Sequence, residues 1–313
     1  MTAIDIIPAA PEPSSPLQHR IEAAAFKVYL ARFRAMPFEK ASAAGANWLP
    51  RLGPLTSTHL TMLRNLRLAF PNETERWRQD VARATWVQLG RSLGEFPHLH
   101  EFTFAEGEAR TEVIGRDLFA RARDGENGAV FFSGHISNFE LMPIGIIRLG
   151  VACATSYRPM NNKLVGALVR KQRTINGTPD QLPKGRQAGI GMMRTLKRGD
   201  SVAIMIDQKY NEGLSLPFFG HDAMTSDAPA RLALQYDAPL IPISLRRDQA
   251  THFTLKAHDP IPIDKAIPRN QAVRDASLKM NQFLEDTIRA APDQWFWVHR
   301  RWPKETWKKA GVL

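Results

Sequence analysis

The sequence predicts an α/β fold in which a sheet is flanked by helices and preceded by a helical extension. From residue 128 onward, short apolar runs alternate with segments of helical period, the pattern of βα units whose sheet is covered on both faces. Before about residue 100 only the helical period is present. No long linker and no repeat of solenoid period divides the 313 residues. The expected organisation is therefore a disordered lead-in over 1–18, a helical, membrane-facing extension over 19–100, and an α/β domain over 101–313 that ends in an aromatic-basic segment.

The elements follow in order. Residues 1–18 (MTAIDIIPAAPEPSSPLQ) are Pro-rich and lack a basic n-region, which argues for a disordered lead-in over a signal peptide. A first helical segment covers 20–44. Its Ile21, Ala25, Val28 and Phe33 leave an apolar stripe among Glu22, Lys27, Arg32 and Arg34. That is too charged to span a bilayer, and it suits either a membrane interface or packing on the body of the protein. A second helix over 56–69 is stopped by Pro71, and a third over 73–95 has Asn72 as its cap. Strands are expected over 129–133 (AVFFS), 151–157 (VACATSY), 201–206 (SVAIMI), 240–245 (LIPISL) and 252–257 (HFTLKA). Helices fill 138–149, 161–175, 188–198, 228–236 and 270–290. Pro242 lacks an N–H, so its strand is expected at an edge or a bulge.

Composition narrows the partners. Lys and Arg number 42 against 31 Asp and Glu, a formal charge of +11. That excess implies an acidic partner: nucleic acid, an anionic membrane, an acidic protein or a phosphorylated ligand. The single cysteine, Cys153, excludes a disulfide framework or a cysteine zinc cluster and fits a reducing compartment. The nine histidines are scattered, and His98 and His100 lack matching ligands nearby, so no metal is expected.

The stretch richest in chemistry is FFSGHISNFE, residues 131–140. A buried strand ends at Ser133-Gly134, His135 follows, and a helix is expected to start at Ser137 or Asn138. The carboxyl end of a strand in an open α/β sheet opens into the ligand crevice. His135 thus stands where a general base belongs. Glu140, in the first helical turn, would fold back and orient the imidazole, as the acid does in a triad. Ser137 and Glu140 also read as a plain capping box. Ser133 is outside a nucleophile elbow, and Cys153 falls in an apolar strand where it packs.

The H-x4-E pattern of GHISNFE resembles that of the lipid A biosynthesis acyltransferases, the late lauroyl and myristoyl transferases within the H-x4-D/E glycerolipid acyltransferase group. Four further blocks match in order: NLRLAFP at 65–71, SYRPMNN at 156–162, DQKYNEGLSLPFFG at 207–220 and WFWVHRRW at 295–302. Together they cover about residues 55–305. The resemblance implies a glycerolipid-acyltransferase-like mixed sheet. It also implies transfer of a fatty acyl chain from an acyl carrier protein thioester to a hydroxyl of a lipid A precursor, with no cofactor beyond that co-substrate. By similarity, His135 would deprotonate the acceptor and Glu140 would orient His135. The same chemistry on a phosphoinositide mannoside, a lyso-ornithine lipid or a lysophospholipid stays open, because acceptor choice belongs to variable loops.

Other residues gain expected roles from these blocks. Arg158, Asn138, Asp207 and Gln208 would stabilise an oxyanion or bind the acceptor, and Phe218 and Phe219 would wall an acyl pocket. Arg170, Arg173, Lys184 and Arg186 would meet acceptor phosphates or the acidic carrier protein. The C-terminal Trp295, Trp297, Trp302 and Trp307, interleaved with Arg and Lys, have the composition of a membrane-interface anchor or of a single-strand nucleic-acid stacking surface. The ordered blocks favour the former, and no nucleic-acid partner is expected. Family members usually begin with an apolar spanning helix, whereas residues 20–44 are too charged. Peripheral attachment to the cytoplasmic face of the bacterial inner membrane is expected instead.

Overall fold

The computed structural model describes residues 16–183 and 185–312, so residues 1–15 of the expected lead-in, Lys184 and Leu313 lie outside it. Residues 16–18 already belong to a helix. Helix α1 (Pro16–Arg34) and helix α2 (Phe38–Leu52) divide the segment expected as one, because Pro37 interrupts the helical ladder between them. Helix α3 (Ser57–Ala69) ends before Pro71 as expected. Helix α4 (Glu75–Glu95) is capped by Thr74, whose Oγ1 accepts from Trp77 N at 3.1 Å, and not by Asn72. Helices α2 and α4 meet backbone to backbone. A Cβ at Gly45 would lie 1.9 Å from Gly90 O, and one at Gly94 would lie 2.1 Å from Ala41 O.

The remaining elements are β1 (Thr111–Ile114), α5 (Arg116–Asp124), β2 (Val130–Ser133), α6 (Leu141–Arg148), β3 (Cys153–Tyr157), α7 (Lys163–Asn176), β4 (Gln181–Pro183), α8 (Arg186–Lys197), β5 (Ser201–Met205), β6 (Leu214–Phe218), β7 (His221–Thr225), α9 (Ala228–Tyr236), β8 (Leu240–Gln249), β9 (His252–Ala257), α10 (Arg269–Ala290) and α11 (Lys304–Lys309). Seven strands form a mixed sheet in the order β1-β9-β8-β2-β5-β3-β4, parallel except where β8 meets β9. Strands β6 and β7 form a separate hairpin, turned by Phe219 and Gly220 at φ 51° and 74°. Two successive positive φ angles are what a tight two-residue hairpin loop requires.

Pro242 does not mark an edge, since β8 lies between β9 and β2. Pro239 O accepts from β2, while Leu240 O and Pro242 O accept from Ile261 N and His258 N on the other side. The missing N–H of Pro242 therefore faces the end of β9, where the ladder only begins at Ile243, and costs no ladder bond.

Each sheet face has its own core. Phe132, Val202 and Ile204 pack with α9 and α10 on one face, and Phe131, Ile241 and Leu255 pack with α5 and α6 on the other. Trp295, Trp297, Trp302 and Trp307 are at most 3% exposed and belong to the first core. The membrane-anchor reading of that segment is thereby corrected. Its tryptophans fill the interior, while Arg300, Lys304, Lys308 and Lys309 reach solvent. Helix α1, by contrast, exposes Leu17, Ile21 and Val28, each more than 60% accessible. Among the described residues no helix is long and apolar enough to cross a membrane.

One buried ion pair joins the extension to the sheet. Arg247 on β8 and Glu95 at the end of α4 meet at 2.6 and 2.9 Å with side chains 3% and 0% exposed. Ser42 of α2 donates to Glu95 Oε1 at 2.7 Å, and Asn138 donates to Glu95 Oε2 at 2.8 Å. Gln294 closes the other side, with its amide bonded to both Arg247 N (2.8 Å) and Arg247 O (2.9 Å). Removing one charge strands the other without water. Glu95→Gln should therefore lower unfolding free energy by about 3–5 kcal/mol in urea titration, while the apolar pair Glu95→Leu with Arg247→Met should cost less than Glu95→Gln alone.

Candidate active site

Strands β2 and β5 are parallel neighbours in register, Ser133 opposite Met205. Their carboxyl ends therefore emerge side by side, and the chain just past each supplies one half of the site. His135 Nδ1 lies 2.7 Å from Asp207 Oδ1, and His135 N donates to Asp207 Oδ2 at 2.7 Å. Trp295 Nε1 adds a third donor at 2.8 Å from Oδ2. A Cβ at Gly134 would sit 3.2 Å from the Asp207 carboxyl, so glycine keeps the space in which the carboxylate nests. Burial alone would raise the Asp207 pKa. The His135 ring and the three hydrogen bonds outweigh it and bring the pKa down to about 2.

An ionised Asp207 fixes the tautomer. It accepts the hydrogen bond of Nδ1–H, so Nε2 carries the free lone pair. That atom faces a cavity of about 1040 Å³ bounded by α6, α7, α8 and the carboxyl ends of β2, β3 and β5. Gln208 Nε2 is 3.4 Å from His135 Nε2 and 3.2 Å from His299 Nε2. Phe139 stands edge-on to the imidazole at 4.7 Å, and Phe296 stacks at 6.0 Å. The His299 pKa is lowered, first by burial and then by His135 and Arg158. Arg158 is exposed on the cavity lip, where its guanidinium can meet an anion.

Other expected site residues land elsewhere. Glu140 does not touch His135. Both of its oxygens are held by Arg173 of α7, at 2.5, 2.9 and 3.2 Å. The cause is local: Ser137 has φ 56°, outside the helical region, and its N–H donates to Gln294 O at 2.7 Å. Helix α6 consequently starts at Leu141, no capping box forms, and Glu140 turns away from the imidazole. Arg173 is accordingly engaged by a carboxylate and not left free for phosphate. The Asn138 amide is 1% exposed and serves Glu95, not the cavity. Phe218 and Phe219 are core residues packed on Trp302, Trp295 and Phe70, and neither lines the cavity. Arg170 is exposed above Tyr157, Arg186 is exposed at the start of α8, and Lys184 lies outside the described residues. Cys153 is buried in β3, where burial pushes its thiol pKa far up.

Sequence reasoning missed His299 and the role of Trp295. The signal was present, since a buried indole N–H needs an acceptor and a histidine stood within the fifth block. Asn65, inside NLRLAFP, explains that block: its amide donates to Trp297 O at 2.8 Å and His299 O at 2.7 Å, tying α3 to the C-terminal segment.

The chain is similar in sequence to known acyltransferases. The family model described as bacterial lipid A biosynthesis acyltransferase matches residues 17–304. The lipid A biosynthesis palmitoleoyltransferase of Escherichia coli K12 is 26% identical over 245 residues, covering 76% of each chain. The lipid A biosynthesis lauroyltransferase of the same strain is 27% identical over 244 residues, again 76% of each. A solved 1-acyl-sn-glycerophosphate acyltransferase from Thermotoga maritima aligns with a TM-score of 0.34 and 13% identity, over 72% of this chain and 95% of that one.

The depressed Asp207 pKa has a measurable sign. The carboxyl contributes stability above its ordinary pKa of 3.8, and that contribution is lost as pH falls from 3.8 toward about 2. Urea unfolding should show the wild type losing about 1 kcal/mol more than Asp207→Asn between about pH 5 and about pH 3.

Proposed function

Because the chain belongs to the bacterial lipid A biosynthesis acyltransferase family, we propose that it moves a fatty acyl chain from an acyl carrier protein thioester to a hydroxyl of a lipid A precursor, as a late secondary acylation. The observation that carries the chemistry is the His135–Asp207 pair at the edge of the large cavity. Nε2 of His135 takes the proton of the acceptor hydroxyl, and the oxygen bonds to the thioester carbonyl carbon. The resulting oxyanion is met by the donors on that edge, Arg158 and the Gln208 amide. Collapse breaks the carbon–sulfur bond, and the imidazolium returns its proton to the departing thiolate. No acyl-enzyme is required, and the thioester is the only co-substrate.

Asp207 is assigned the positioning role that the sequence suggested for Glu140. It holds the tautomer and stabilises the imidazolium. Glu140 instead anchors Arg173 on the cavity wall, so its contribution runs through binding. The acidic carrier protein is assigned to the exposed Arg170 and Arg186. Attachment to the cytoplasmic face of the inner membrane is assigned to α1, where Leu17, Ile21 and Val28 are exposed beside Arg20, Lys27 and Arg32.

The test is transfer by purified protein from acyl carrier protein thioester to a lipid A precursor lacking its secondary chains, read by mass spectrometry. His135→Ala should reduce transfer to background, and transfer at the wild-type rate would sink the mechanism. Asp207→Asn should lower kcat on the order of 10⁴-fold through the wrong tautomer. Glu140→Gln should act chiefly on the acceptor KM. An unchanged lipid A profile in a strain lacking the gene would point to another lipid acceptor.

A further inference from the structure

The cavity straddles the carboxyl edge of the sheet, and its two arms lie on opposite faces. Residues paired in parallel register share a face, so Phe131, Ala203 and Thr155 look the same way, and Ser133 and Met205 continue that row toward His135. Met142 and Ile146 of α6 lie across from this row, while Ile204 and Gly189 line the opposite arm.

A residue within β5 has a strand on each side and should be covered by helices above. Ala203, Met205 and the neighbouring Thr155 are nevertheless only half-buried. Helix α6 stands off the sheet at this point and leaves an apolar slot that begins beside His135 and runs inward. From His135 back to Phe131 is four residues, about 13 Å at the rise of a strand. One level deeper Cys153, paired with Ser201, is buried and closes the far end.

Resting on the acyl-transfer reading above, we propose that this slot between β5 and α6 holds the fatty acyl chain, with Ala203 gauging its length. The carbonyl lies at His135 Nε2 and the alkyl chain descends over Met205 and Ala203. The small Ala203 side chain leaves the passage open, and Ile146, one helical turn further from His135 than Met142, bounds its inner part. A slot that ends in packed core discriminates by fit, about 10- to 200-fold for a methylene too many.

The experiment uses the full chain and a ladder of saturated acyl carrier protein thioesters that differ by ethylene units. Ala203→Leu fills the slot midway, and kcat/KM for the longest accepted chains should fall about tenfold or more while shorter chains keep their rate. Ile146→Ala opens the inner wall and should extend acceptance to longer chains. Gly189→Leu is the control, because a Cβ there meets nothing within 4 Å and projects into the other arm. It should leave the length profile where it was. In parallel, wild-type protein is irradiated with a thioester whose chain ends in a diazirine, and crosslinks are expected on β5 or α6. Crosslinks confined to α8, or a profile that Gly189→Leu shifts and Ala203→Leu does not, overturn the slot. A wild type that transfers no chain from any thioester overturns the acyl-transfer reading itself.

Discussion

The buried contact between Glu95 and Arg247 is the constraint on which the geometry around His135 depends. Glu95 ends a helix of the N-terminal extension, and Arg247 sits on a central strand. Neither charge has access to water, so each must find all its partners within the protein. Those partners are drawn from every part of the chain: Ser42 from the second helix, Gln88 from the fourth, Asn138 from the loop after His135 and Gln294 from the C-terminal segment. Gln294 in turn receives the Ser137 N–H. The loop that carries His135 is therefore held at two adjacent residues by one polar network, and its unusual backbone at Ser137 follows.

The C-terminal segment completes that loop. Ile136 bridges Trp295 in antiparallel fashion, Phe296 N donates to His135 O at 3.0 Å, and the Trp295 indole reaches Asp207. Asn65 of the third helix grips the same segment from outside. The helical extension is thus no appendage. Its helices α2 and α4 interlock through glycines, and it joins the α/β body through Glu95–Arg247 and fixes the aromatic strap that orients Asp207.

The charge balance takes on a different meaning in this light. Arg78, Arg173, Arg247 and Arg301 are largely removed from solvent and bonded to carbonyls or carboxylates within the fold. Part of the +11 is therefore structural, and the demand on outside partners falls to exposed groups such as Arg158, Arg170 and Arg186. The tryptophan-basic C-terminus illustrates the same point. Composition could not distinguish a belt of interfacial indoles from a core, because that distinction is set by which face another element covers.

Much of the architecture was legible locally. The strand over 252–257 and the helix over 228–236 match their predicted bounds, since periodicity and turn residues act over a few neighbours. The short β1 and β4, and the hairpin of β6 and β7, carried too little pattern to be seen. His135 at a strand end, and the five ordered blocks, were sufficient to identify the family. The sequence by itself could not choose the carboxylate that serves the imidazole. Glu140 is five residues from His135 and Asp207 is seventy-two, so proximity along the chain favoured the wrong one. The choice was made by the parallel pairing of β2 with β5, which brings two distant strand ends together, and by the left-handed turn at Ser137, which leaves Glu140 to Arg173.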